Sequence, residues 1–470
     1  MKTVYTNQLK KLAKFYDENG RKSNWAGRHY RKLLACYYGI IIPKEASVLE
    51  VGCGNGELLA LLKNRDVVGV DLSSTQIEAA KQNVPYGKFY VGSGEEFTMD
   101  RQFDYILISD TINFAADVQK IFENISQCTH EKTRLCLNFF NHLWRPFVSL
   151  GILLGFKAKQ QESNWLSSDD VESLLRLCGW SLITKKSRIL IPLPFFGIDT
   201  FLNRYLAPLV DWMGLTVFMV ARKEIVHTAE KKPSVSIVIP ARNEEGNIES
   251  AILRMPKFAE NQEIIFVEGN SKDNTWKKIL EIKEKYPNYK ILTMQQKGKG
   301  KGDAVRVGFE AASGDILMIL DADLTVAPEE LPKFYHALAS GHAEFANGVR
   351  LIYPMEDEAM RFFNLIANKF FSIAFSWLLN QSVKDTLCGT KVLWKTDYER
   401  IARDRAYFGD FDPFGDFDLL FGACHQNMKI VDIPIRYANR TYGSTNIERW
   451  KHGWLLLKMV VFAARKIKFV

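Results

Sequence analysis

The longest stretch free of charged side chains, residues 370–383, is only 14 residues long, short of the roughly 20 that a membrane-spanning helix needs. No transmembrane span is expected. The seven cysteines (Cys36, Cys53, Cys128, Cys136, Cys178, Cys388 and Cys424) are odd in number and nowhere form a CxxC pair. That spacing argues against a structural zinc site and a secreted disulfide framework. The N-terminus lacks the apolar core of a signal peptide, so the expected setting is cytoplasmic. Internal repeats and low-complexity tracts are missing, which excludes solenoid and linker-dominated architectures. A net charge of +8, from 62 basic and 54 acidic residues, is too mild to call for nucleic acid, and no nucleic-acid partner is expected.

What is present is ordinary globular composition, 47% hydrophobic and 25% charged over 470 residues. At roughly 100–200 residues per domain this predicts two or three domains. A polar segment separates two regions that each begin with short apolar strands. The organisation read from it is a first domain at 1–222, a linker at 223–233, a second domain at 234–449 and a basic amphipathic helix at 450–470. Both domains are α/β. In the first, strands at 47–52, 67–71, 88–92, 103–109 and 134–140 alternate with helical patterns, and two later strands near 180–190 and 215–221 fit an antiparallel edge. Such alternation implies a mainly parallel, doubly wound sheet. The second repeats the pattern with strands at 234–240, 263–269, 289–294 and 315–323.

In the first domain Gly52, Gly54 and Gly56 follow a β-branched strand and precede a helix at 57–62. Glycine lets the backbone turn sharply beside a ligand, and the helix start offers free N–H groups. A dinucleotide fingerprint would place its third glycine at 57, where Glu57 stands, which disfavours NAD. Asp71 ends the next strand, where a carboxylate can accept from both hydroxyls of a ribose. A glycine loop after a strand also serves as a plain tight turn; the acidic flanks Glu50 and Asp71 speak for the ligand.

These residues resemble the class I S-adenosylmethionine-dependent methyltransferases over about residues 20–222. The resemblance implies that Glu50 supports the loop, that Gly52, Gly54 and Gly56 line the methionine and ribose, and that Asp71 holds the ribose. Ser93 stands where the family often has an aspartate for the adenine, so that role passes to Ser93 or to Glu95 or Glu96. Asp110 is placed at the methyl-donor pocket. Asn141, His142 and Trp144 follow the fifth strand toward an acceptor, with His142 a candidate base, although a lone histidine is more often structural. A domain that has lost its chemistry is the alternative.

In the second domain Asp321 and Asp323 close an apolar strand at i, i+2. On an extended chain such side chains point the same way and can share one Mg²⁺ or Mn²⁺, with a diphosphate completing the oxygen shell. The motif alone is weak, but polar loops at 240–245 and 268–274 and a lysine–glycine run at 297–302, which includes Lys301, converge on the same sheet edge. That edge is where open α/β sheets bind ligands.

The combination resembles the family 2 glycosyltransferases of the GT-A fold over about residues 233–449, particularly the branch that glycosylates polyprenyl phosphates. The resemblance implies that Pro240, Arg242 and Glu244 line the nucleoside pocket and that Glu268 meets the base. It assigns Lys301, Asp321 and Asp323 to the nucleotide-sugar, with Asp321 and Asp323 as metal ligands. Arg350, Arg361 and Arg440 are assigned to the acceptor. Segments 385–391 and 416–418 match further motifs of the branch, and Asp418 or Asp416 is the expected base should the acceptor be a hydroxyl. A helix start rich in Asp is also simply stabilised by the helix dipole. Two departures stand out: Thr325 where a glutamine is common, and 444–446 reading STN where the branch usually has Ser-Lys.

Residues 1–35 hold nine basic and two acidic side chains, and 440–470 hold seven and one. Basic, tryptophan-bearing ends suit an anionic membrane surface, although an amphipathic helix that closes a domain is equally ordinary. The expectation is a bifunctional cytoplasmic enzyme, peripheral on the inner face of the membrane. It would join metal-dependent, inverting transfer from a nucleotide-sugar to a polyprenyl phosphate or glycan with methyl transfer from S-adenosylmethionine. The alternatives are a glycosyltransferase with a silent first domain and a membrane-associated scaffold.

Overall fold

In the computed structural model the described residues are 2–19, 25–153, 164–225, 232–350, 362–405, 415–438, 440, 442 and 449–469. The chain divides into two compact units, Met1–Glu224 with Lys468–Val470, and Ile225–Ile467. Each is built on a seven-stranded sheet.

The strands of the first unit are β1 (Val48–Val51), β2 (Val67–Asp71), β3 (Lys88–Val91), β4 (Phe103–Ser109), β5 (Thr129–Phe140), β6 (Trp180–Arg188) and β7 (Thr216–Lys223). They lie in the order β3-β2-β1-β4-β5-β7-β6, with β7 antiparallel to both its neighbours and the rest parallel. Its central parallel strands β1, β2 and β4 are buried on both faces, as parallel sheets are, while the edge strand β3 is largely exposed. On β4, Ile106 and Ile108 enter one core while Tyr105 and Leu107 enter the other, the two-residue alternation of a pleated strand. Helix Ser74–Asn83 starts where the Ser73 hydroxyl accepts from the Gln76 N–H, and helix Ser168–Leu177 starts at a reciprocal Ser167–Asp170 capping box. Two helices precede β1, Lys2–Asn19 and Trp25–Ile41.

The second unit contains β8 (Val235–Ala241), β9 (Gln262–Glu268), β10 (Lys290–Gln295), β11 (Ile316–Ile319), β12 (Phe345–Val349), β13 (Lys391–Trp394) and β14 (Ile430–Pro434). Their order is β10-β9-β8-β11-β13-β12-β14. β13 runs antiparallel to β11 and β12, and the other pairings are parallel. Val235, Ile237 and Ile239 of β8 pack with Ile264, Phe266 and Met318 in one core. On the other face helix Lys301–Ala311 closes on β8 at Gly308, where a Cβ would stand 2.4 Å from Val238. In both sheets strand order reverses at one point, between β1 and β4 and between β8 and β11, and the crevice outside the carboxyl ends there is the natural ligand site.

Two strand readings change. β5 starts five residues earlier than expected, its polar opening held by Thr133, whose hydroxyl donates to the Phe103 carbonyl at 2.7 Å. β11 ends at Ile319 instead of running through Asp323. Beyond it the chain turns, with the Leu324 N–H donating to the Asp321 carbonyl and Leu324 at φ 53°. Among the described residues, no helix is long and apolar enough to cross a membrane.

Candidate active sites

At the β1–β4 reversal the three loop glycines all take positive φ: Gly52 at 78°, Gly54 at 50° and Gly56 at 72°. At Gly52 a Cβ would meet the Thr111 hydroxyl at 2.1 Å, so only glycine fits. Asp71 fixes the loop, one carboxylate oxygen accepting from the Gly54 N–H at 2.7 Å and the other from Ser73 at 2.9 Å. Burial pushes its carboxyl above the ordinary value.

The loop opens into a cavity of about 730 Å³. Glu50 lines it, 2% exposed, with its carboxyl pushed up to about 8 by burial against a partial offset from Arg31. One Glu50 oxygen has no hydrogen-bond partner. Across from it Asp110, at φ 54°, accepts from the Tyr30 hydroxyl at 3.2 Å and the Asn138 amide at 2.6 Å. A cofactor bearing an ammonium, a carboxylate and a ribose diol fits this donor set, because the unpartnered Glu50 oxygen would accept from the ammonium.

Ser93 lines the cavity and donates to Glu95. Glu95 lines the cavity too, and its carboxylate accepts from the Ala116 and Asp117 N–H groups of the segment after β4 at 3.1 and 3.4 Å. Glu96 is exposed and away from the cavity wall. His142 is likewise exposed and does not line the cavity, so it is not placed as a base there. Asn141 caps the turn after β5, its amide donating to the Trp212 and Gly214 carbonyls at 3.1 and 3.0 Å. Only Trp144 of that trio reaches the cavity. The residues missed are on the first two helices, where Leu12, Tyr16 and Tyr30 wall the site; the helical spacing of apolar residues before β1 was the available signal.

At the β8–β11 reversal the two carboxylates stand on the turn after β11, not on extended strand. Lys301 Nζ lies 2.6 Å from Asp321 Oδ1 and 3.9 Å from Asp416 Oδ1. Arg440 reaches Asp323 at 2.6 Å and Glu244 at 3.4 Å. Asp323 also accepts from the Thr325 hydroxyl and N–H at 2.8 and 3.1 Å. Burial works to raise Asp323, but Arg440 outweighs it and holds the carboxyl below its ordinary value. Asp321 shares its lysine with Asp416 and faces Asp323, so burial and those two carboxylates push it up. Lys301 pays desolvation, which Asp321 and Asp416 more than offset, and its ammonium is held above its ordinary value.

Gly389 completes the pocket. A Cβ there would stand 2.0 Å from Asp321 Oδ2 and 2.2 Å from Lys301 Nζ. The turn carrying it is fixed by Asp385, fully buried, which accepts from Arg350 Nε at 2.6 Å and from its second guanidinium nitrogen at 2.8 Å, as well as from the Leu387 and Cys388 N–H groups.

That pairing corrects the reading of Arg350. Its fork is committed bidentately to Asp385 and its plane lies over Tyr437 at 5.0 Å, so it braces the Gly389 turn and does not present itself to an acceptor phosphate. Asp418 is corrected as well. On helix Asp416–His425 two residues are about 200° apart, and while Asp416 faces Lys301, Asp418 is turned to Arg405 at 2.8 Å and Arg306 at 3.8 Å. Glu268 is buried and accepts from Ser271 and from Gln295 at 3.1 Å, shaping the loop after β9. Pro240, next to last on β8, is half-buried, Arg242 is exposed, and Glu244 is buried with its carboxyl raised by that burial. Arg361 and residues 443–446 lie outside the described residues.

Among the described residues no cluster of three or more His, Cys, Asp or Glu is arranged to hold a metal. The chemistry of Asp321 and Asp323 still fits a hard divalent cation, with two protein carboxylates and the remaining positions open to ligand oxygens.

Residues 236–400 match the family model Glycosyl transferase family 2, and residues 42–173 match a Methyltransferase domain. Over 247 residues, 50% of this chain and 67% of the relative, the chain is 30% identical to the dolichol-phosphate mannosyltransferase of Pyrococcus furiosus. It is 34% identical over 119 residues to the undecaprenyl-phosphate 4-deoxy-4-formamido-L-arabinose transferase of Proteus mirabilis, but this spans 24% of the chain and 36% of that relative. Among solved structures, a SAM-dependent methyltransferase from Thermotoga maritima, described as a possible histamine N-methyltransferase, matches 45% of this chain and 98% of its own at 18% identity, TM-score 0.35.

Proposed function

Because this chain belongs to glycosyl transferase family 2 and carries a methyltransferase domain ahead of that region, we propose that it transfers a hexosyl group from a nucleotide-sugar to a polyprenyl phosphate, and a methyl group from S-adenosylmethionine at its first site. The observation that carries the first half is the pairing of Lys301 with Asp321 and of Arg440 with Asp323 at the strand-order reversal. Two carboxylates and two cations in one cleft match a nucleoside diphosphate held through a divalent cation.

Bound there by Asp321 and Asp323, Mg²⁺ or Mn²⁺ would supply neutralisation of the leaving diphosphate. The chain's own cations do the rest: Lys301 and Arg440 are within reach of the same oxygens and stabilise charge that develops on them. An acceptor oxygen attacks the anomeric carbon as the bond to the diphosphate breaks, and the configuration inverts. The orientation of Asp418 favours a phosphate acceptor. The expected base is spent on Arg405 and Arg306, and a phosphate oxygen, already anionic, needs none. The named substrates of both curated relatives, dolichol phosphate and undecaprenyl phosphate, agree with this class.

At the first site S-adenosylmethionine would supply the methyl group, and the chain's part would be proximity and alignment of the acceptor above all. Glu50 and Asp71 would hold the cofactor's ammonium and ribose. The basic termini and the lipid acceptor support a peripheral position at the inner membrane face.

The test is product formation from labelled nucleotide-sugars and a polyprenyl phosphate. Wild type yields label in the lipid phase with Mg²⁺ or Mn²⁺, and Asp321→Ala does not; undiminished product from the variant, or in excess chelator, would overturn the metal role.

A further inference from the structure

Of the 27 exposed large hydrophobic side chains among the described residues, 13 fall in two short segments of the first unit, 143–153 and 195–213. A random scatter of single apolar residues needs no explanation, but a concentration of this kind marks an interaction surface. Phe196 is fully exposed, Leu153 is 82% exposed and Trp212 68%. The two segments are neighbours in space. Trp144 donates from its indole to the Met213 carbonyl at 2.7 Å, and Asn141 reaches the Trp212 carbonyl.

The patch is continuous with the cavity of the first site. Phe147 and Val148, from helix Arg145–Leu153, and Pro192 and Leu193, which lead into the second segment, line its wall. Apolar lining therefore runs from the methyl-donor loop out to the exposed face. Cations predominate around it, with Glu18 exposed beside Lys14 on the first helix and Asp170 near His142 as the carboxylates among them. Arg145 and Arg204 are exposed within the two segments, whereas Asp199 is buried beside His29 at 3.1 Å and Asp211 accepts from the Ser187 N–H. The two N-terminal helices that wall the same cavity expose Lys10, Lys11, Lys14, Arg28 and Lys32. Apolar side chains rimmed by cations are the chemistry of a protein seated in the headgroup region of an anionic bilayer.

We propose that this face of the first unit docks on an anionic lipid surface, and that the methyl acceptor is a lipid-anchored molecule whose apolar part enters the cavity past Phe147 and Leu193. The docking stands on the surface itself, and the acceptor class rests on the methyltransferase reading above. The seat is assigned to these two segments of the first unit, whereas the charge of the C-terminus alone would have assigned it to the basic helix Arg449–Ala463.

The full chain is tested by flotation with vesicles of phosphatidylcholine alone and of equimolar phosphatidylcholine and phosphatidylglycerol. Wild type floats with the anionic vesicles. The combined variant Leu150→Asp, Leu153→Asp, Phe196→Asp, Phe201→Asp, all exposed and none lining the cavity, loses about tenfold or more of the bound fraction, with unchanged melting and S-adenosylmethionine affinity. With brominated acyl chains, Trp212→Phe removes more of the fluorescence quenching than Trp454→Phe. Flotation that survives in the variant, quenching lost chiefly with Trp454, or a wild-type dimer that the variant abolishes in place of vesicle binding would each overturn the docking. Methyl label from S-adenosylmethionine, supplied with a total-lipid extract and with the water-soluble extract, is expected in the organic phase. Label confined to water-soluble products overturns the acceptor class, and wild type that floats yet binds no S-adenosylmethionine by calorimetry refutes the methyltransferase reading while leaving the docking in place.

Discussion

The ammonium of Lys301 sits 2.6 Å from an Asp321 carboxylate oxygen, against the Cα of Gly389, where a Cβ would press on both groups. The lysine comes from the start of a helix and the aspartate from the turn after β11, so the contact joins the glycine–lysine run to the acidic motif across the strand reversal. It places an ammonium where a diphosphate and its metal would compete for the same carboxylate.

Replacing Lys301 removes a charge-assisted contact to the donor and strands Asp321 beside Asp323 and Asp416. Lys301→Met is expected to raise the KM for nucleotide-sugar roughly 10- to 100-fold. Initial rates over a donor titration check this; a change confined to acceptor KM would contradict it.

At Gly389 a methyl group would have to displace the Asp321 carboxylate and the Lys301 ammonium. Gly389→Ala should fold, since the clash falls on the cleft and not on the core, yet lose donor binding. Ligand-induced thermal shift with the nucleoside diphosphate reads the loss; a wild-type shift would show that the cleft tolerates the Cβ.

For Arg350 the expected deficit is structural. Breaking its buried pair with Asp385 by Arg350→Ala should cost about 3–5 kcal/mol, measured by urea unfolding. Adding Asp385→Leu should not restore it, because the Leu387 and Cys388 N–H groups would then lose their acceptor. Were the single variant as stable as wild type and impaired only in acceptor KM, the guanidinium would belong to the acceptor after all.

Asp418→Asn leaves Arg405 and Arg306 facing a neutral amide. Stability should fall by about 1–3 kcal/mol while kcat for a phosphate acceptor stays near wild type. A collapse of kcat with stability intact would make Asp418 the base.

Glu50 gives a pH signature. Its carboxyl is held at about 8 in the folded chain against 4.5 for the free group, so the folded state binds the proton more tightly. The stability it contributes is full below about 4.5 and is lost as pH rises through about 8. Glu50→Gln should flatten the melting temperature over that window, and S-adenosylmethionine, by pairing its ammonium with the carboxylate, should stabilise the wild type more than the variant.

Much of this was legible in the residues. The glycine spacing at 52–56 and the apolar runs of β1, β2, β4, β8 and β9 announce parallel strands that end in ligand loops, because φ > 0 and two-sided burial each demand particular residue types. What the residues did not disclose is which groups satisfy one another. Arg350 and Asp385 are 35 positions apart and each reads, alone, as a functional charge. The stretch 416–418 looks like one acidic cluster until the helix sends its two aspartates to opposite sides. The walls contributed by Tyr16 and Tyr30 lay upstream of the first strand, where amphipathic spacing signals a helix but not the cavity it covers. Apolar exposure at 143–153 and 195–213 was hidden for a related reason: composition cannot tell a core phenylalanine from one left in the open.

Asp321 and Asp323 are expected to hold a nucleoside diphosphate through a divalent cation. Calorimetric titration of the full chain with uridine and guanosine diphosphates, with Mn²⁺ and with chelator, tests it directly on wild type and Asp321→Asn. At least one diphosphate is expected to bind wild type only when Mn²⁺ is present and to fail to bind the variant; equal binding in chelator, or undiminished binding by Asp321→Asn, would contradict the metal-bridged site.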